Sequence, residues 1–276
     1  MKKRQAAVEG RFYPSTKSRI LAQIEEIDNE ARYETESFEI NYILGAVLPH
    51  AGHLYSGHQT VPFFKLLRQH EIYPDTFVIV HPNHRGMGAP IAVDDSNVWV
   101  NAIGEVSTNQ EFARAMELPF DHRAHAGEHS AEVIVPFIQY YLPDHPFSLV
   151  AVCMRDQSHE GARLVAERIA KAKRESGQHI MVLSSCDFSH FISPEIGVER
   201  DQNVVNEILS RSSAGVERAV REHNLSICGY GPIMALMEYA MSVDTHYKIK
   251  ILARGHSGEV FRSNEVVDYI SMVIYQ

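Results

Sequence analysis

The sequence predicts an α/β fold, in which a single domain contains a central mixed, mostly parallel sheet covered by helices on both faces. Short β-rich runs alternate with longer helical stretches along the 276 residues, an order typical of a sheet between two helical layers. Several of the β-rich runs are continuously apolar, as strands are when helices bury both faces of their sheet. Because no repeat or linker divides the chain, residues 1–276 form one predicted domain.

Six apolar or β-branched runs are the predicted strands. They lie at residues 42–49, 77–82, 147–154, 179–185, 248–254 and 266–275. Five stretches with apolar residues three and four positions apart are the predicted helices. They lie at residues 16–33, 59–69, 130–142, 160–173 and 231–241. Ser15 is the expected N-cap of the first helix.

Composition excludes several classes of protein. The chain is 45% hydrophobic, enough for a large core, and its net charge of −9 argues against a nucleic-acid-binding protein. The sequence has no signal-type segment and no apolar stretch of membrane-spanning length. The three cysteines, Cys153, Cys186 and Cys228, form no disulfide framework. We therefore expect a cytoplasmic protein without nucleic-acid or membrane partners.

Metal-capable side chains follow the predicted strands. Three such segments follow strands, "HAGHLYSG" at 50–57, "NHRGMG" at 83–88 and "CDFSH" at 186–190, and a fourth, "SICGYGP" at 226–232, precedes a predicted helix. Ligands of α/β sheets bind beyond the carboxyl ends of the strands, and histidine, of which there are 16, is the commonest metal ligand. The pattern indicates a polar site at this edge, with metal binding as one interpretation.

Several of these residues also have a purely structural interpretation. His50 suits a turn bonded to the backbone, and Cys228 suits a small buried apolar side chain. Asp187 suits an Asx-turn with His190 as its hydrogen-bond partner. His53 is expected either in the pocket wall or in ordinary packing.

Five further residues carry open alternatives. Tyr55 has the same two interpretations as His53. Of His81 and His84, only one is expected to point into the site. His129 and Glu132 lie three apart at a predicted helix start, where they would either orient a ligand histidine or belong to a helix cap.

Seven ordered motifs extend the pattern over nearly the whole chain. They are "AVEGRFYP" at 7–14, "PHAGHLYSG" at 49–57, "HPNHRGMG" at 81–88, "EHSAEVIVPF" at 128–137, "SSCDFSH" at 184–190, "ICGYGPI" at 227–233 and "HSGEV" at 256–260. With these motifs the chain resembles the Memo family, which includes the prokaryotic proteins called AmmeMemoRadiSam system protein B.

The resemblance implies a fold similar to that of class III extradiol ring-cleavage dioxygenases, which hold non-haem Fe(II) with two histidines and a carboxylate. In the Memo family a cysteine takes the third position. Carried onto this sequence, the implied metal ligands are His50, His84 and Cys228. The implied acid/base residue is His190, with Asp187 close by.

The resemblance also implies that His129 and Glu132 are further pocket residues. At two positions the chain differs from the family's usual pattern. His81 replaces a glycine, and Cys186 replaces the second serine of "SSD". Neither change removes an implied ligand, so an additional imidazole and an additional thiol are expected near the site.

The function implied is that of a non-haem iron or copper redox enzyme, because a thiolate with two imidazoles favours iron, copper or zinc over magnesium or calcium. One alternative is a non-enzymatic module that binds a peptide or phosphopeptide in the same cleft. Another is a structural or hydrolytic zinc site completed by His81, Asp187 or Cys186. Expected partners are an unknown small molecule or peptide and, by family association, a radical-SAM protein and an AMMECR-type protein.

Overall fold

The computed structural model describes residues 1–33 and 38–276. The strands in the described residues are β1 (Lys3–Gln5), β2 (Ile43–Leu48), β3 (Thr76–Pro82), β4 (Ile91–Val93), β5 (Val98–Val100), β6 (Glu105–Ser107), β7 (Ser148–Met154), β8 (Ile180–Ser185), β9 (His190–Ile192), β10 (Lys248–His256) and β11 (Val266–Tyr275). The α-helices are α1 (Lys17–Glu30), α2 (His53–Gln69), α3 (Gln110–Ala115), α4 (His122–His125), α5 (Val135–Tyr141), α6 (His159–Ser176), α7 (Pro194–Leu209), α8 (Ser213–Glu222) and α9 (Tyr230–Val243). Two 3₁₀ turns cover Glu132–Ile134 and Ser257–Glu259.

The main sheet is mixed and has a parallel centre. Its strand order is β10-β11-β2-β8-β3-β7-β4, with β9 paired to β11. The central strands β2, β8, β3 and β7 pair in parallel, whereas β11, β10, β9 and β4 join the sheet through antiparallel pairs. The predicted α/β fold with a mixed sheet is thus confirmed. A second sheet of three short strands has the order β1-β5-β6.

Two hydrophobic cores lie on opposite faces of the main sheet. Successive side chains of a strand point to opposite faces, and Val78 and Val80 of β3 belong to the core beneath α6 and α9. Phe77 and Ile79 belong to the other core, beneath α1, α2 and α5. Helices cover both faces, which explains why the central strands are apolar without alternation. In the described part of the chain, no helix is long and apolar enough to cross a membrane.

Several element boundaries differ from the predicted ones. The N-cap of α1 is Thr16 rather than Ser15. The predicted helix at 130–142 begins as a 3₁₀ turn, and its α-helical part starts at Val135. Helices α7 and α8 were not predicted, because each buries only a narrow stripe, such as Val204 and Ile208 of α7, within a largely polar sequence.

Buried Glu132 fastens the N-terminal segment to the sheet. Its carboxylate accepts hydrogen bonds from Arg4 Nη1 at 2.9 Å, the backbone N–H of Ala7 at 2.7 Å, that of Val8 at 3.0 Å and the Tyr13 hydroxyl at 2.8 Å. Glu132 was expected in the pocket, and this expectation is corrected. Its carboxylate is turned to the N-terminal segment, because the 3₁₀ turn replaces the expected helical face.

A buried pair of carboxyl groups joins α7 to β11. Asp201 accepts hydrogen bonds from the hydroxyl of Ser189 at 2.6 Å and from its backbone N–H at 3.3 Å. The Asp268 carboxyl lies beside Asp201, and burial together with the Asp201 charge raises the pKa of Asp268 to about 8. A Cβ at Gly197 would lie 2.1 Å from Asp268 Oδ2, so only glycine fits there. The pair holds the segment that leads into His190.

We expect Glu132→Ala to lower the free energy of unfolding by about 3–5 kcal/mol, because it leaves the Arg4 guanidinium buried without its partner. The matched control is Glu105→Ala, which removes the exposed partner of Lys3 in the same segment. An exposed pair contributes less than about 1 kcal/mol. Urea unfolding of both variants measures the difference, and equal losses would contradict the account.

We expect the protein to lose stability between pH 5 and 8 through Asp268. Its folded-state pKa of about 8 lies above the ordinary carboxyl value of about 4, so the native state binds more protons than the unfolded state in this window. Stability is then greatest below the window and falls as pH rises, at up to about 1.4 kcal/mol per pH unit. Urea unfolding of Asp268→Asn, compared with the parent at each pH, should lack this loss. The exposed control Asp144→Asn should retain it, and a parent-like slope in Asp268→Asn would refute the assignment.

Candidate functional site

A cleft of about 400 Å³ opens at the carboxyl ends of the central strands. Phe12 from the N-terminal segment, Tyr55 from α2 and Val267 from β11 contribute the apolar part of its lining. The polar part is dominated by imidazoles. It consists of Arg11, His50, His84, His129, Asp187 and His190.

Two of the lining histidines form a compact donor cluster with a neighbouring cysteine. His50 follows β2, His84 follows β3 and Cys228 precedes α9, and one ligand atom from each lies within 4.8 Å of the other two. The Nε2 atom of His50 is 3.1 Å from the Sγ atom of Cys228. The fold thus brings together the three residues that the sequence analysis singled out as metal ligands.

The ring of His50 is held in the tautomer that a metal requires. Its Nδ1 atom lies 2.7 Å from the hydroxyl of Ser185, and that hydroxyl donates its own proton to the carbonyl of Ser130 at 2.6 Å. Ser185 must therefore accept from Nδ1–H, so Nε2 is the nitrogen that is directed at Cys228. The backbone N–H of His50 also donates to Asp187 Oδ1 at 2.7 Å.

Buried Glu128 orients His84 in the same manner. One carboxylate oxygen lies 2.9 Å from His84 Nδ1, and the other accepts from the backbone N–H of His84 at 2.7 Å. Burial lowers the pKa of His84, but hydrogen bonds to Cys228 and Glu128 outweigh burial and raise it to about 10. Carboxylate–histidine pairs of this kind fix the ring of metal-ligating histidines.

The thiol of Cys228 lies in an environment that favours the thiolate. Its Sγ atom accepts a hydrogen bond from the backbone N–H of Asp187 at 3.3 Å. Burial acts to raise the pKa of Cys228, but the hydrogen bond from Cys186 and the neighbouring His50 and His84 bring it well below its ordinary value. A thiolate beside two oriented imidazoles is a donor set suited to a transition metal.

His190 faces the cleft with one basic nitrogen. Its Nδ1 atom lies 2.7 Å from the carbonyl of Ser226, which can only accept, so Nδ1 carries the proton and Nε2 has a free lone pair. The backbone N–H of His190 donates to the Ser226 hydroxyl at 2.8 Å. The next residue, Phe191, has a φ of 58°, a left-handed conformation that is unfavourable for this side chain.

Tyr55 and His129 also line the cleft, as expected of pocket residues. The ring of His129 stacks on His84 with centroids 4.8 Å apart and contacts Phe12 at 4.7 Å. Burial and the nearby imidazole of His50 lower the pKa of His129 to about 4. His129 is therefore neutral at neutral pH.

The structure places His53 and His81 behind the cleft wall instead of in it. His53 Nε2 is 2.8 Å from the carbonyl of Val133, and its ring packs between Tyr13 and Phe137. Because α2 begins at His53, the ring turns towards the core, and ordinary packing is the correct interpretation. His81 is buried and bonded to other side chains. Its two nitrogens lie 3.0 Å from Ser130 Oγ and 3.3 Å from His125 Nδ1.

Cys186 likewise lies behind the wall, fully buried beside Cys228. Within the described ranges, no fourth His, Cys, Asp or Glu joins the cluster of His50, His84 and Cys228 at the same mutual distances. Asp187 and His129 line the same cleft beside this cluster, with Asp187 Oδ2 4.0 Å from His50 Nε2.

Two functional side chains were missed in the sequence. Glu128 and Ser185 orient the two histidines of the cluster, yet both are separated from their partners by many residues. Each lies within a quoted motif, in "EHSAEVIVPF" and "SSCDFSH", which is the signal that could have drawn attention to them.

Comparisons with known proteins identify the family of this chain. Residues 4–273 match the family model described as Memo-like protein. A MEMO1 family protein of Archaeoglobus fulgidus is 35% identical over 275 residues, which cover 98% of each chain, and one of Pyrobaculum aerophilum is 34% identical over the whole of both chains. The solved structure of the uncharacterized protein JW3007 from Escherichia coli K12 shares the fold, with a TM-score of 0.54 at 13% identity over 84% of this chain and 99% of that one. The chain belongs to the Memo-like family.

Proposed function

We propose that this protein is a metal-dependent redox enzyme in which His50, His84 and Cys228 hold one iron or copper ion. The observation that carries the proposal is the convergence of these three donors within 4.8 Å of one another, at the wall of an open cleft. When bound, the metal would supply Lewis acidity and electron transfer. Both imidazoles are already oriented by Ser185 and Glu128, so binding costs little rearrangement.

The donor set decides which metals are suitable. The Cys228 thiolate disfavours magnesium and calcium, which prefer oxygen ligands, and suits iron, copper or zinc. A closed structural zinc site needs four protein ligands, and the described residues supply three. The open side towards the cleft therefore favours a reactive site over a structural one.

His190 is the proposed general acid/base. Its protonated Nδ1 is bound to Ser226, so Nε2 is available to accept a proton from a substrate in the cleft. Asp187 lies in the same lining and holds the backbone of His50. The neutral ring of His129 lies beside Phe12, and Tyr55 lies in the same lining, so the cleft suits a flat, partly apolar substrate such as a phenol.

A second candidate function is the binding of an anionic peptide, and the presence of Arg11 in the cleft lining favours it. A phosphotyrosine side chain has the aromatic ring and the negative charge that this lining would bind. Titration with phosphotyrosine peptides tests this candidate. Saturable binding that is unaffected by removal of metal would favour it over the redox enzyme.

Metal content and oxygen consumption should separate the ligands from the acid/base residue. Protein is purified without a His tag under anaerobic conditions, metal is measured by mass spectrometry, and oxygen uptake is measured with a panel of catechols. We expect Cys228→Ser and His84→Ala to lose metal and oxygen uptake together. We expect His190→Gln to keep its metal and lose uptake.

The exposed histidine variant His223→Ala is the matched control and should behave as the parent. Stoichiometric metal in His84→Ala or Cys228→Ser would refute the ligand assignment. A parent that holds iron but consumes no oxygen with any catechol would count against the redox reaction alone.

Glu128→Gln should weaken metal binding without removing a ligand. The amide still fits the position but loses the charge that orients and polarises His84, so we expect affinity to fall about 10–100-fold. Competition with a chromophoric chelator measures the affinity. Glu222→Gln, at an exposed position, is the control, and equal affinities in the two variants would contradict the role of Glu128.

A further inference from the structure

The thiol of Cys186 lies directly behind Cys228. It is fully buried, and its Sγ atom lies 3.2 Å from the carbonyl oxygen of Asp187, the same oxygen that lies 3.5 Å from Cys228 Sγ. A Cβ at Gly229 would lie 2.7 Å from the Cβ of Cys186, so the two backbones are in direct contact. Ser130 and Glu128 lie on the histidine side of the cluster. Their contacts therefore give no reason for a second thiol beside Cys228.

Hydrogen bonds hold the segments that carry the two cysteines side by side. The N–H of Cys228 donates to the carbonyl of Asp187, next to Cys186, at 3.2 Å. The N–H of Asp187 in turn donates to Cys228 Sγ at 3.3 Å. A disulfide joins Cα atoms about 4.4–6.8 Å apart, and the contact of Cys186 with Gly229 makes Cys186 a close neighbour of the residue next to Cys228.

The two sulfurs differ in accessibility. Cys228 is half-buried and belongs to the cluster at the cleft, whereas Cys186 is buried behind it. The thiolate is the form of a cysteine that reacts with oxidants. The third cysteine, Cys153, lies in a different part of the sheet, where its thiol donates a hydrogen bond to the carbonyl of Ala124. It has no sulfur partner in the described residues.

We propose that Cys186 is a resolving thiol, which forms a reversible disulfide with Cys228 when a peroxide enters the metal-free site. The disulfide removes the thiolate from the donor set and so switches metal binding off. The regulatory part rests on the proposed function of Cys228 as a ligand, whereas the thiol chemistry does not.

The reaction has two balanced steps. The Cys228 thiolate attacks hydrogen peroxide, so an S–O bond forms, the O–O bond breaks and hydroxide leaves. Cys186 then attacks the sulfenic sulfur, so the S–S bond forms, the S–O bond breaks, and the oxygen leaves as water with the proton of Cys186. Peroxide is reduced, and the two thiols are oxidised. Without a resolving thiol, the sulfenic acid is open to further oxidation, which is irreversible.

The test uses metal-free protein treated with hydrogen peroxide, then denatured, alkylated and mapped by peptide mass spectrometry. The parent should yield a peptide linked through Cys186 and Cys228, while Cys153 remains alkylated. Dithiothreitol should restore all three thiols. In Cys186→Ser, which keeps the size and a hydrogen-bond donor, Cys228 should proceed to sulfinic acid and resist reduction. Cys153→Ala is the matched control and should form the linked peptide as the parent does.

Zinc uptake by the same samples tests the switch. Oxidised parent protein should bind no Zn²⁺ at Cys228, and reduction should restore binding. Absence of the linked peptide, or sulfinic acid formed at the same rate in the parent and Cys186→Ser, would overturn the proposal. A linked peptide with undiminished zinc uptake would overturn the switch. In that case, zinc uptake by reduced Cys228→Ser should be compared with that of the reduced parent. Equal uptake would show that Cys228 is not a ligand, so that the ligand assignment and not the disulfide is wrong.

Discussion

Parallel pairing of β2, β8 and β3 is the constraint on which the site depends. It brings the carboxyl ends of three strands to one edge of the sheet, so that His50, Ser185 and His84 become neighbours although they are far apart in the sequence. The sheet is rigid because apolar helices cover both of its faces. Side chains fixed to its edge therefore keep their mutual distances, which a metal site requires.

Different buried polar groups around this edge of the sheet orient different parts of the site. Ser185 and Glu128 fix the rings of His50 and His84, whereas Glu132 holds the N-terminal segment that brings Phe12 to the cleft. The acid pair behind Ser189 supports the segment that carries His190. Ser185, Glu128 and Glu132 are each hydrogen-bonded to specific partners, as most buried polar groups are. The cleft is thus assembled from six separate chain segments without a continuous structural motif.

The sequence was informative where a local pattern has a single structural solution. Continuous apolar runs identified the central strands, and ordered motifs identified the family and the cluster of His50, His84 and Cys228. A local pattern was insufficient where a contact with a distant part of the chain decides the direction of a side chain. Glu132 and His129 share a face only if a helix starts before them. In the structure a 3₁₀ turn covers Glu132, and its carboxylate binds Arg4, which lies far away in the sequence.

The direction of a side chain at the start of an element was equally hard to predict. His53 and Tyr55 lie two residues apart in one motif, yet the first packs in the core and the second lines the cleft. Their directions depend on where α2 begins, which the glycines around them do not determine. The orienting roles of Glu128 and Ser185 depend on contacts across the sheet, and no spacing in the sequence encodes such contacts.

The central claim is that one thiolate and two imidazoles hold the metal and leave part of its coordination open. X-ray absorption of protein loaded with one zinc ion measures this directly. The account predicts one sulfur neighbour at about 2.3 Å, nitrogen neighbours at about 2.0–2.1 Å and a remaining light-atom ligand that exchanges with added anions. A shell without sulfur, or a closed shell of four protein ligands that added anions leave unchanged, would contradict it.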